Sequence, residues 1–262
     1  VPVKGYTKTF EAEDRYIVFA LQAEQERNYK VASEFFEILY KKSHKKEYLY
    51  RFLTNLLVAK KYKKMLAIID KEDEKREDLT LKRLEIVALI NLSKMKEAQT
   101  KALSLVRLTK KAQDYLLVSD LYVAQKKFDK AVQYLESAYV KNYNEKILDR
   151  MSIILYVNLK RKKEAIAQLE THSRIYSCSK LICNRLISFY SDENNIDGLL
   201  SAYLRYYKVN KTDEVAKKII QIYNYKKEYI KLIDFLKRND IDNVLLLNLY
   251  LKIKDYKKAS VL

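Results

Sequence analysis

Apolar residues recur along this chain at spacings of three and four, the period of one helical face. The pattern is clearest between Ala112 and Tyr143. Tyr115, Val118, Ser119 and Tyr122 form one stripe, and Phe128, Ala131, Val132, Leu135, Ala138 and Tyr139 form a second after a polar turn at Gln125, Lys126 and Lys127. Asp129 sits where the N-cap of the second helix is expected, its carboxylate placed to accept from orphan amides of the next turn. A hairpin of two such helices cannot bury its apolar faces alone, so further hairpins must stack on it.

The same short motif returns along the chain: an aromatic or apolar residue after a polar turn, then a small or apolar residue three positions later. Its last residue is Ala32, Met65, Ala98, Ala131, Ala165, Leu199, Leu232 and Ala259, at intervals of 33, 33, 33, 34, 34, 33 and 27. So constant a period marks a repeat architecture. With a small residue at Ser119, Tyr122 three later, and Phe128, Ala131, Leu135 and Ala138 along the second helix, the chain resembles the tetratricopeptide repeat family. The resemblance implies an all-α, right-handed helical-repeat solenoid of seven to eight helix-turn-helix pairs over residues 13–262, the last truncated, behind a lead-in of residues 1–12.

Departures from the family are visible. Its usual Gly in the first helix (helix A) is here Ala20, Leu53, Ile86, Ser119, Ile153, Ile187 and Ile220, and its closing Pro is absent. Larger residues at that close-packing position should splay helix A from its partner, helix B. The sixth repeat, with Leu199 and Tyr203, is the least typical. Thr9 is read as a cap for the first helix, with Glu11, Glu13 and Asp14 as acids favoured by its dipole. No interdomain linker is apparent. Val1 is not an initiator Met and Leu262 falls within a second helix, so the native chain is expected to extend at both ends.

Composition narrows the class. Two Gly and one Pro cannot supply the turns of an all-β sandwich or the Gly-rich loops of nucleotide sites. No apolar run approaches the ~20 residues that a membrane span requires. The net charge of +18 suggests an acidic or polyanionic partner. A coding bias toward Lys, Tyr, Ile and Asn would produce the same excess.

Catalytic chemistry is sparse. His44 falls in a Lys-rich turn, His172 on the apolar stripe of a helix B, and neither forms a nucleophilic constellation with Cys178 or Cys183. Glu72, Asp73 and Glu74 read as solvated turn charge. No enzyme activity, cofactor or metal is expected. The two cysteines bracket a helix start. Within one continuous helix a spacing of five points them apart, so free thiols are expected unless Cys178 lies in the preceding turn.

By the resemblance, helix A lines a concave groove. Its register gives Tyr50, Thr54, Arg83, Asp120, Arg150, Asn184, Ser188, Lys217, Gln221 and Asn224 as candidate contacts. Such basic and amide groups could clamp a carboxylate or an extended acidic peptide. The expected function is a non-catalytic scaffold that binds a peptide or helix of a partner protein there. A second surface comes from the turns between helices A and B, which hold thirteen of the eighteen net positive charges. Its densest points are Lys60, Lys61, Lys63 and Lys64, and Lys160, Arg161, Lys162 and Lys163, with a break at Glu193 and Asp197. This basic edge carries the alternative, RNA or another polyanion, and a membrane-associated scaffold is a third class. Solvated, unoccupied faces remain the plain reading of both surfaces. Compartment and oligomeric state are left open.

Overall fold

The computed structural model describes residues 8–72 and 77–254. Ala259, the chain end at Leu262, and Asp73 and Glu74 lie outside them. Among the described residues there are fifteen α-helices and no strand. They pair as α1 (Glu13–Gln25) with α2 (Tyr29–Ser43), α3 (Lys46–Val58) with α4 (Tyr62–Glu72), and α5 (Leu79–Asn91) with α6 (Met95–Thr109). Next come α7 (Ala112–Ala124) with α8 (Phe128–Asn142), and α9 (Glu145–Ile153), prolonged by a π-helical turn at Ile154–Asn158, with α10 (Lys162–Tyr176). The series closes with α11 (Lys180–Asp192) and α12 (Ile196–Val209), α13 (Asp213–Tyr225) and α14 (Tyr229–Asn239), and α15 (Asn243–Lys252).

The chain divides into two bodies, residues 1–134 and 135–262. In the first, α2 packs on both α1 and α3, and α3 reaches α4 and α5. In the second, α10 packs on α9 and α11, and α11 on α12. Both are built of stacked hairpins. Of the recurring motif, Leu199 in the sixth repeat is only half-buried, whereas Ala32, Met65, Ala98, Ala131, Ala165 and Leu232 are fully buried. So are Ala20, Leu53, Ile86 and Ser119 on helix A.

One local device ends every described helix A. Arg27, Lys60, Ser93, Lys126, Lys160, Asn194, Lys227 and Lys254 all adopt the left-handed conformation, with φ between 52° and 61°. At most of them the following amide then reaches back five residues, as from Asn28 to the Ala23 carbonyl at 2.8 Å and from Lys61 to that of Leu56 at 2.8 Å. This is the Schellman closure, usually made with Gly. A side chain there costs roughly 1 kcal/mol. A cation beside the helix's negative C-terminal end offsets part of that cost, so the Lys-rich turns have a local structural cause.

The two intervals of 34 have separate origins. Helix A of the fifth repeat contains one extra residue, absorbed by the π-helical turn. There the Leu159 amide bonds the Ile154 carbonyl at 3.0 Å, and the Arg161 amide reaches six residues back to Leu155 at 2.9 Å. The insertion moves the face before it by one position. Ser152, not Ile153, is therefore the fully buried close-packing residue. In the next two repeats Ile187 and Ile220 are likewise only half-buried, beside fully buried Leu186 and Ile219.

The second extra residue lies between α10 and α11, a connection of three residues, Ser177, Cys178 and Ser179, against two between α2 and α3. Cys178 is thus outside the helix and bonds Cys183 in a disulfide, with Cα atoms 5.4 Å apart. Free thiols were expected from a spacing measured around a helix, and that condition does not hold here. Two capping assignments also change. α8 begins at Phe128, which puts Asp129 inside the first turn. Ala12 rather than Thr9 precedes α1, and the Thr9 amide donates to Glu13 Oε2 at 2.5 Å.

Candidate functional site

Tyr50, Arg83, Asn184 and Lys217 are each the fifth residue of α3, α5, α11 and α13. The extra residue in α9 puts Asp149 at that position, with half-buried Arg150 next to it. In α3 and α5 of the first body the position is committed to links between successive A helices. The Tyr50 hydroxyl donates to Asp78 Oδ2 at 2.7 Å, and Asp78 also accepts from Lys46 and caps α5. Burial, then the bond to Asp78, raises the Tyr50 phenol above its ordinary value.

Arg83 donates to both carboxylate oxygens of Asp114, at 2.7 and 2.8 Å. Asp114 is only 1% exposed. Burial acts to raise its carboxyl, but the hydrogen bonds from Arg83 and Thr109 outweigh that and hold it below the usual range. Glu24 completes the series, accepting from Arg51 and from Asn55 Nδ2 at 2.6 Å. These partners lie about one repeat apart in sequence. An acid about one period from a base or a hydroxyl is the signal that could have found them. Thr54 donates to the Tyr50 carbonyl at 2.7 Å, and Asp120 is exposed on α7.

The second body keeps one such link on this face and leaves other positions open. Asp149 takes a two-point bond from Arg185 at 2.7 and 3.2 Å. Asn184, Lys217 and Gln221 are exposed, with no side-chain hydrogen bond or ion pair to another described residue. Ser188 and Asn224 are exposed as well. A depression of about 490 Å³ on α11 is lined by Lys180, Leu181, Asn184 and Arg185. Its surface combines an ammonium, an amide and a guanidinium already held by a carboxylate.

The basic edge is partly engaged. Lys64 bonds Glu37 at 2.8 Å and lies over the Phe52 ring. Arg161 makes a two-point bond to Glu164 at 2.7 Å. Lys162 bonds Asp192 at 2.9 Å and stands 4.6 Å from the Tyr156 ring centre. Lys60 and Lys160 supply the left-handed turn backbone, and Lys61, Lys63 and Lys163 are exposed. His172 is buried in a packing network, its Nδ1 2.6 Å from the Tyr139 hydroxyl and its Nε2 3.2 Å from Glu145. Among the described residues no cluster of His, Cys, Asp and Glu is placed to hold a metal, and no helix is long and apolar enough to cross a membrane.

Between α8, α9 and α10 lies a second cleft, of about 430 Å³. Val140, Tyr143, Ile175 and Tyr176 around it are 59%, 48%, 65% and 46% exposed. Hairpins of near-constant length, a 33–34-residue period and buried small residues at the helix crossings now stand together. The fold is tetratricopeptide-like.

No protein-family model and no curated protein matches the chain. Solved structures similar to it include MamA, from residue 41 to its end, of Desulfovibrio magneticus RS-1. That match has 13% identity and a TM-score of 0.48, covering 64% of this chain and 96% of that one. The C-terminal part of a TPR repeat-containing protein from Cytophaga hutchinsonii has 14% identity and a TM-score of 0.46, with 78% and 93% coverage. PilF of Pseudomonas aeruginosa has 15% identity and a TM-score of 0.45, with 79% and 96% coverage.

Proposed function

We propose that this tetratricopeptide-like chain is a non-catalytic protein-interaction module that holds an extended segment of a partner protein on the helix-A faces of its second body. Asn184, Lys217 and Gln221 are the polar contacts, with Arg150 as a flanking group. One observation carries the reading. Tyr50 and Arg83 at the equivalent positions of α3 and α5, and Asp149 in α9, are tied to neighbouring helices, whereas Asn184 and Lys217 stand exposed on α11 and α13, Asn184 beside an open depression. An amide can pair with a peptide backbone, and an ammonium attracts carboxylates. The segment best matched is therefore extended and acidic.

The experiment compares two variants in capturing a partner from native extract by crosslinking. Asn184→Asp with Lys217→Glu should lower capture roughly tenfold or more, because reversing a close charge strongly weakens binding. Replacing Lys60, Lys61, Lys63 and Lys64 with Gln should leave capture nearly intact. The polyanion alternative predicts the reverse order, with RNA as the captured species and an affinity that falls steeply with salt. That outcome would overturn the groove reading.

A further inference from the structure

A third cleft lies on the helix-B side of the second body, where α12 and α14 meet beside α13, and encloses about 580 Å³. It is separate from the face argued above. Its base is aromatic: Tyr207, Tyr223 and Phe235 line it at 8%, 7% and 8% exposure. Tyr207 meets Phe235 edge-on at 5.3 Å between ring centres, and Tyr223 lies 6.4 Å from Phe235. Burial raises the Tyr223 phenol, so it is neutral at neutral pH and adds no negative charge to the base.

The rim is cationic. Lys208 and Lys211 make no ion pair with any described residue. Lys231 bridges Glu228, the residue before α14, at 3.1 Å and Arg238 bridges Asp234 within α14 at 3.0 Å, both with largely exposed cations. Such exposed pairs are weak, and the carboxylates of a ligand can replace them. Four cations thus face one lining carboxylate, Asp234, around an apolar base.

We infer that this cleft binds an acidic peptide segment in which an apolar side chain lies in the cleft over its aromatic base while flanking carboxylates meet Lys208, Lys211, Lys231 and Arg238. The chemistry separates this occupant from others. Single-stranded nucleic acid needs exposed ring faces on which bases stack, and these three rings are buried and packed against each other. A bare inorganic anion would leave the apolar base uncovered.

The test titrates the full chain with a synthetic acetyl-Glu-Glu-Phe-Glu-Glu amide, read by calorimetry. Lys208→Gln with Lys211→Gln alters only exposed side chains and should weaken binding at least fivefold. A peptide with Ser in place of Phe, and one with Gln in place of every Glu, should each bind at least fivefold more weakly. Asn184→Asp with Lys217→Glu should leave this binding unchanged, which separates its failure from that of the helix-A reading. Equal binding of the Ser peptide would reduce the effect to attraction by a chain of net charge +18 and overturn the proposal. So would unchanged affinity in the Lys208 and Lys211 variant, or displacement of the peptide by an equimolar oligouridine.

Discussion

The two bodies share one repeat and use it differently. In the first, every interval is 33 residues, and polar side chains on successive A helices answer each other: Glu24 with Arg51 and Asn55, Tyr50 with Asp78, Arg83 with Asp114. In the second, two single-residue insertions break the period, one absorbed by a π-helical turn and one by the connection that carries Cys178. A strict period brings the same positions face to face, so complementary side chains can join them. An inserted residue rotates a helix face by about 100°. Across the two insertions only some links between A helices persist, Asp149 with Arg185 among them, while Asn184, Lys217 and Gln221 are left open. The open polar positions and all three clefts described above belong to the second body.

The largest expected effect breaks a link of the first body. Asp114→Ala leaves the Arg83 guanidinium, 25% exposed, without its buried carboxylate. The loss should be about 3 kcal/mol in urea unfolding. A loss under about 0.5 kcal/mol would mean that such links do not hold the first body together. The same pair sets a pH dependence. The Asp114 carboxyl is held low in the folded state, so its contribution is present above the ordinary Asp value of about 3.9 and fades as pH falls below it. Asp114→Asn should remove that part of the acid-induced loss.

Next comes a position peculiar to the second body. A Cβ on Gly198 would collide with the Tyr190 ring. The ring is fixed by its hydroxyl, which donates to Glu170 at 2.6 Å, and Glu170 in turn holds Arg205. Gly198→Ala should therefore cost roughly 1–3 kcal/mol, and a neutral result would show that the ring yields freely. Reducing the Cys178–Cys183 disulfide should cost about 2 kcal/mol by loop entropy. Hydrogen exchange should rise around α11 and leave α1 to α6 unchanged. Exchange rising equally in both would contradict separate bodies.

The period of Ala98, Ala131 and Ala165 exposed the hairpins because small buried residues and flanking apolar stripes are local features of the chain. Helix starts were less legible. Asp129 looks like a cap in sequence, yet the helix begins one residue earlier at Phe128. The π-helical turn was hidden because Ile154, Leu155 and Tyr156 are all buried, and so apolar whatever the local pitch. An interval of 34 reveals an insertion without locating it, which left the pairing of Cys178 open. Among candidate contacts, Arg83 looked like an available cation because Asp114 is brought to it only by stacking. The left-handed lysines carry no Gly to mark them.

The smallest effect tests that last point. Lys126→Gly relieves a left-handed side chain at φ 57° and should stabilise the first body by up to about 1 kcal/mol. Destabilisation instead would assign Lys126 a contact beyond its turn.

The most direct measurement of the interaction reading places a photo-crosslinking amino acid singly at 184, 217 and 221, and in parallel at 63 and 163, and irradiates native extract. Protein adducts should form from the first three positions and be absent from the other two. Adducts confined to positions 63 and 163, above all to RNA, would contradict it.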